Sequence, residues 1–102
     1  MATIKTSSGR EFARREDLAF DLKGNIIKAC RVRDVSPADV RDEDILINGP
    51  GALQLDSMDA VEIAMMVDRT YGVRIKDLSS AKAAMTSVAS LTDHIWKTLE
   101  RK

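Results

Sequence analysis

Apolar residues recur at three- and four-residue spacings in three stretches of the chain, and each stretch predicts a helix with one buried stripe. From about Arg15 to Val32 the stripe is Leu18, Leu22, Ile26, Ala29 and Cys30, with Phe20 and Ile27 able to widen it. From Met58 to Tyr71 there are two sets. Ala60, Ile63, Ala64, Val67 and Tyr71 can face a core, while Met58, Val61 and Met65 form an adjoining patch beside Asp59, Glu62 and Asp68. In the last stretch, capped at Thr86 or Ser87 and running to about Glu100, the stripe is Val88, Leu91, Ile95 and Leu99, and Trp96 flanks it.

The breaks between these stretches are marked by residues that cannot continue a helix. Pro37 suits the first position of a short turn, and Asn48-Gly49-Pro50-Gly51 forbids a regular helix. Val40, Ile45, Leu46, Leu53 and Leu55 are expected to anchor the long connection from Val35 to Leu53 and its approach to the second helix. Gly72 suits a left-handed residue closing that helix, Val73 and Ile75 pin the connection after it, and Asp77 or Ser79 can start a short helix through Ser80, Ala81 and Lys82. Met1 to about Ala13 shows little periodicity and reads as a flexible tail. The expected fold is therefore all-α, a small four-helix bundle of three main helices and one short one, with residues 1–13 as tail and 14–102 as a single helical domain.

Composition narrows the function classes. A chain of 102 residues supports one modest core, and an aromatic content of 4% makes that core aliphatic. Its one cysteine allows no internal disulfide, and no run is long and apolar enough for a membrane span or a secretory h-region, so a cytoplasmic monomer is expected. The net charge of zero conceals an uneven distribution: between Asp34 and Asp68 nine acids face Arg41 alone, and the flanks are net basic. Such a field opposes nucleic-acid phosphates and favours protein partners that display Arg and Lys. Asp39, Asp42, Glu43 and Asp44 do not follow the EF-hand spacing, and His94 has no accompanying ligand set, so no metal site is expected.

Candidate chemistry concentrates at Asp56-Ser57-Met58-Asp59. Asp56 is a good N-cap, and Asp59, three residues on, completes a capping pattern at the positive end of the helix. Ser57 sits just inside that cap, expected to face solvent, with no G-x-S-x-G elbow or S-x-x-K pair around it. No catalytic residue and no enzymatic activity are expected; a serine that another protein modifies remains open.

These residues, with Leu55 before them and Val61, Glu62 and Ile63 after, resemble the attachment motif of the acyl carrier protein family. The likeness runs from about Asp17 to Leu99, with weaker echoes at Asp44-Ile45-Leu46, Tyr71-Gly72-Val73-Arg74-Ile75 and Thr86-Ser87-Val88. It implies that Ser57 carries 4'-phosphopantetheine, attached by a separate phosphopantetheinyl transferase from coenzyme A with Mg2+. The carrier would shuttle thioester-bound acyl intermediates among fatty-acid, lipid or polyketide enzymes. It further implies that Asp56, Met58, Asp59, Val61, Glu62, Met65 and Asp68 recognise acyl-loading and acyl-processing enzymes through their basic docking surfaces. Met58 stands where the family usually has leucine, a volume-conserving change. The glycine-rich approach to Ser57, together with Arg69 on an otherwise acidic helix, points to a specialised member rather than a housekeeping one. The alternatives are a peptidyl or aryl carrier, or an unmodified helical adaptor.

Overall fold

The computed structural model describes residues 3–6, 9–47, 55–75 and 83–100. They form a small, mostly helical domain: an antiparallel hairpin of β1 (Ile4–Lys5) and β2 (Glu11–Phe12), then α1 (Arg15–Ala29), a 3-10 turn at Pro37–Asp39, α2 (Ser57–Tyr71) and α3 (Val88–Glu100). The short helix expected through Ser80, Ala81 and Lys82, the Asn48-Gly49-Pro50-Gly51 stretch and Leu53 lie outside the described residues.

α1 is the element the others pack on: it meets α2, α3, β2 and the 3-10 turn. Its Leu18, Leu22 and Ile26 are fully buried, and they join Ile63 and Val67 of α2 and Val88, Leu91 and Ile95 of α3 in one aliphatic core. Leaving water is the main drive for this packing, at about 25 cal/mol per Å² of apolar surface. Phe20, able to widen the stripe, stands 58% exposed, because its position on the helix turns it away from the face that α2 and α3 cover.

α1 also stops earlier than its periodicity predicts. Arg31 adopts a left-handed backbone (φ 55°), and two hydrogen bonds close the end, from the Arg31 N–H to the Lys28 carbonyl and from the Val32 N–H to the Ile27 carbonyl. This is a Schellman turn made without glycine, at a cost of about 1 kcal/mol for the left-handed arginine. α2 ends as expected, with Gly72 left-handed (φ 70°) and its N–H on the Asp68 carbonyl.

Among the described residues of the stretch expected as a flexible tail, Ile4, Thr6 and Phe12 are buried. Ile4 and Phe12 pair across the hairpin and are buried in the core, and the turn between the strands uses Gly9 at φ 89°. Each strand contributes one anchoring side chain, too little to show as a sequence period. Arg10 ties the hairpin to α1 through an ion pair with Asp21 at 2.6 Å.

In the long connection Val40, Leu46 and Leu55 are buried as expected, whereas Ile45 is half exposed and is held by its backbone, bridging to Ser87. The same segment closes the start of α3: the Val88 and Ala89 N–H groups donate to the carbonyls of Asp44 and Asp42. Ser87 and Ser90 complete that end by exchanging bonds between each backbone N–H and the other's hydroxyl.

One polar cluster crosses this apolar interior. The Tyr71 hydroxyl donates to Asp21 Oδ2 at 2.7 Å and accepts from Asn25 Nδ2 at 2.9 Å, locking the end of α2 to the middle of α1. Burial pushes the phenol far above its ordinary range, Asp21 adds to the rise, and the Asn25 bond opposes it. A group that holds its proton more tightly when folded contributes stability that is intact below its ordinary pKa and lost as pH rises above it. We therefore expect stability to fall above about pH 10, with tyrosinate absorbance appearing only as the chain unfolds. Tyr71→Phe is expected to remove that dependence and to cost about 1–2 kcal/mol in urea denaturation.

Candidate functional site

The second helix begins where the capping pattern requires. Asp56 is extended, and its Oδ1 accepts from the N–H groups of Met58 at 3.0 Å and Asp59 at 3.1 Å. Asp59 Oδ2 in return accepts from the Asp56 N–H at 3.0 Å. The reciprocal bonds satisfy amides that otherwise have no partner in a first turn and put negative charge at the positive end of the helix. Ser57 is the first residue of α2, so its backbone is fixed between these two caps. The placement of its side chain lies outside what the structure describes.

Along α2 the two apolar sets separate as predicted. Ile63, Val67 and Tyr71 are buried, and Ala60 and Ala64 pack against the core from its edge. Met58, Val61 and Met65 are 78%, 60% and 54% exposed. Met66, absent from the predicted stripe, is also buried. Spacings of three and four bring Met58, Val61 and Met65 onto one side of the helix, and Glu62 and Asp68 are exposed beside them. Neither Glu62 nor Asp68 forms an ion pair among the described residues. Asp56 and Asp59, by contrast, are committed to the backbone.

The sequence pattern did not reveal that Cys30 belongs to this neighbourhood. The turn at Arg31 leaves its thiol against the start of α2, with Sγ 3.9 Å from the Asp59 carbonyl oxygen. Burial pushes the thiol up to about 11, and the carboxylates of Asp59, Glu62 and Asp56 push the same way. A thiol in acidic surroundings is held in its unreactive neutral form. Among the described residues no three His, Cys, Asp or Glu side chains gather where they could hold a metal ion. No described helix is long and apolar enough to cross a membrane.

A scan against models of protein families gives no match to this chain, and a search of curated proteins gives none that is significant.

This geometry carries two expected outcomes. Asp56→Ala should destabilise the fold by about 1 kcal/mol in chemical denaturation, through loss of the cap. Cys30 should react slowly with iodoacetamide in the folded protein at pH 7.5, with a rate that climbs toward pH 11, and much faster once urea unfolds the chain.

Proposed function

We propose that this protein is a carrier that bears 4'-phosphopantetheine on Ser57 and conveys acyl groups, held as thioesters, between biosynthetic enzymes. The observation that supports the reading most is the setting of Ser57: a serine at the first position of a helix whose start is fixed by reciprocal carboxylate caps. A swinging arm needs a rigid attachment point, since any freedom at its base lowers the concentration it delivers at each active site. The nearest carboxylates, Asp56 and Asp59, are turned to backbone amides, which leaves the serine hydroxyl as the free oxygen nucleophile of this first turn. The residues present thus fit the group. When bound, it supplies a thiol that carries the acyl cargo.

In this reading a separate transferase, using coenzyme A and Mg2+, does the chemistry at the Ser57 oxygen, and this chain contributes the hydroxyl and the docking face. Met58, Val61 and Met65 provide apolar contact, while Glu62 and Asp68 orient partners that carry Arg or Lys. Asp56 and Asp59 act chiefly by positioning Ser57. The exposed methionines and Val61 would also suit an unmodified adaptor, and a peptidyl or aryl carrier would share the same attachment chemistry. The pathway is proposed to be a specialised one, given Arg69 on the docking helix and the glycine-rich approach.

Incubation with a broad-specificity phosphopantetheinyl transferase, coenzyme A and Mg2+ is expected to raise the intact mass by about 340 Da, on Ser57 alone. Ser57→Ala should abolish the gain and change unfolding free energy by less than about 0.5 kcal/mol, because the described cap bonds use other groups. A folded protein that stays at its bare mass with competent transferases, or is loaded at another residue, would overturn the carrier reading.

A further inference from the structure

The exposed side of α2 carries charge in a fixed order. At about 100° per residue, Met58, Glu62, Met65 and Arg69 fall within an arc of roughly 60°, so one line down the helix runs apolar, acid, apolar, base. Met58 and Met65 are 78% and 54% exposed, and Glu62 and Arg69 are exposed with them. Val61 and Asp68 stand along one edge of this line, about 100° around the helix from Glu62 and Arg69.

No described residue answers the two charges of that line. A helix can satisfy a charge through neighbours three or four residues away, as Asp93 and Lys97 do on α3. For Glu62 those neighbours are Met58, Asp59, Met65 and Met66, none of them a cation. For Arg69 they are Met65, Met66, Gly72 and Val73, none of them an acid. Neither side chain forms an ion pair among the described residues, although Asp68 adjoins Arg69 in the chain. The two charges are seven residues apart, which is about 10.5 Å along the axis.

We propose that this line docks a helical segment of a partner protein that presents one cation to Glu62 and one acid to Arg69, with apolar residues between them on Val61 and Met65. Spacing selects a helix. Two residues seven apart on a second helix, lying alongside at a shallow crossing angle, span the same distance of about 10.5 Å and share a face. On a β-strand about three residues cover that distance, and residues three apart point to opposite faces. Charge selects the direction. Antiparallel to α2, the segment has its acid first, opposite Arg69, and its cation seven residues later, opposite Glu62, an order that suits its own helix dipole. Parallel to α2, it has the reverse order and opposes that dipole. A segment with cations at both positions is repelled by Arg69. The proposal deepens the docking role given above to this side of α2; it rests on that role and not on the loading of Ser57.

The test uses the whole chain and short lactam-stapled helical peptides with leucines on the facing side. One peptide carries Glu and, seven residues later, Arg; the control carries Arg at both positions. Titration followed by amide chemical shifts is expected to give saturable changes at Met58, Val61, Glu62, Met65 and Arg69, with the Glu/Arg peptide about threefold tighter than the control. Arg69→Glu should invert that preference, Glu62→Gln should weaken both peptides, and Phe20→Ser, on α1, should change neither. All three positions are exposed, so far-ultraviolet dichroism should stay the same. Equal or tighter binding of the two-Arg control, a preference that survives Arg69→Glu, shifts confined to α1, or a response that does not saturate would overturn the proposal. So would sedimentation showing that the free protein dimerises through Met65, since a second copy would then be the occupant. The mass experiment on Ser57 reads the carrier role separately. A chain that loads but prefers the two-Arg peptide refutes the mixed-charge partner alone, and one that stays at its bare mass yet binds the Glu/Arg peptide refutes loading alone.

Discussion

Leu18, Leu22 and Ile26 have no accessible surface, and the burial of this single stripe of α1 is the constraint on which the other elements depend. α2 and α3 close over it, and β2 and the 3-10 turn meet the same helix. Apolar burial sets the drive but not the register, because aliphatic side chains slide past one another at little cost. Register comes from directional bonds. Tyr71 fixes α2 against Asp21 and Asn25, Arg10 draws the hairpin onto Asp21, and Lys23 reaches Asp42 in the connection. Asp21 therefore joins three elements through one carboxylate, and its partners restrict where α2, and with it Ser57, can lie.

The acidic segment between Asp34 and Asp68 is less free than its charge implies. Asp56 and Asp59 cap α2, the Asp39 carboxylate accepts the Ser36 N–H and hydroxyl, and Asp44 accepts the Arg41 N–H. Hydrogen bonds from Ser36 hold the Asp39 carboxyl below its ordinary range. Asp42 pairs with Lys23, and Glu43 with Arg41 at 3.3 Å. Most of these carboxylates thus shape loops and helix starts. On the exposed side of α2 the charges left without an ion pair among the described residues are Glu62, Asp68 and Arg69, next to Met58, Val61 and Met65.

Helices with long stripes were legible in the sequence because a period of 3.6 repeats enough times to stand out: Ile63, Val67 and Tyr71 on α2 and Val88, Leu91, Ile95 and Leu99 on α3 are all buried. The Asp56 cap and the Gly72 stop were legible because each depends on the chemistry of one residue. The β1–β2 hairpin was not, since two-residue strands anchored by Ile4 and Phe12 have no period to read. The exposure of Phe20 was not legible, because periodicity reports which positions share a face and not how wide a face the neighbours cover. Ile45 failed differently, being held by backbone pairing to Ser87 while its side chain remains half exposed. On the second helix the separate patch of Met58, Val61 and Met65 was legible, but the approach of Cys30 to it was not.

That omission has a physical origin in one residue. Glycine or asparagine normally announces a left-handed helix end, because other side chains crowd the following carbonyl. Arg31 accepts the strain, and it is offset by bonds from its own N–H and from that of Val32, with Ile27 and Val32 both packed against the core. Had α1 continued through Val32, Cys30 would have remained inside a helix, one more position in its stripe. By ending at Ala29 the helix leaves the thiol at the turn, where it meets the Asp59 carbonyl. Two constraints then converge on the first turn of α2. The carboxylate caps fix it from within, and the Cys30 thiol at the end of α1 meets it from the side.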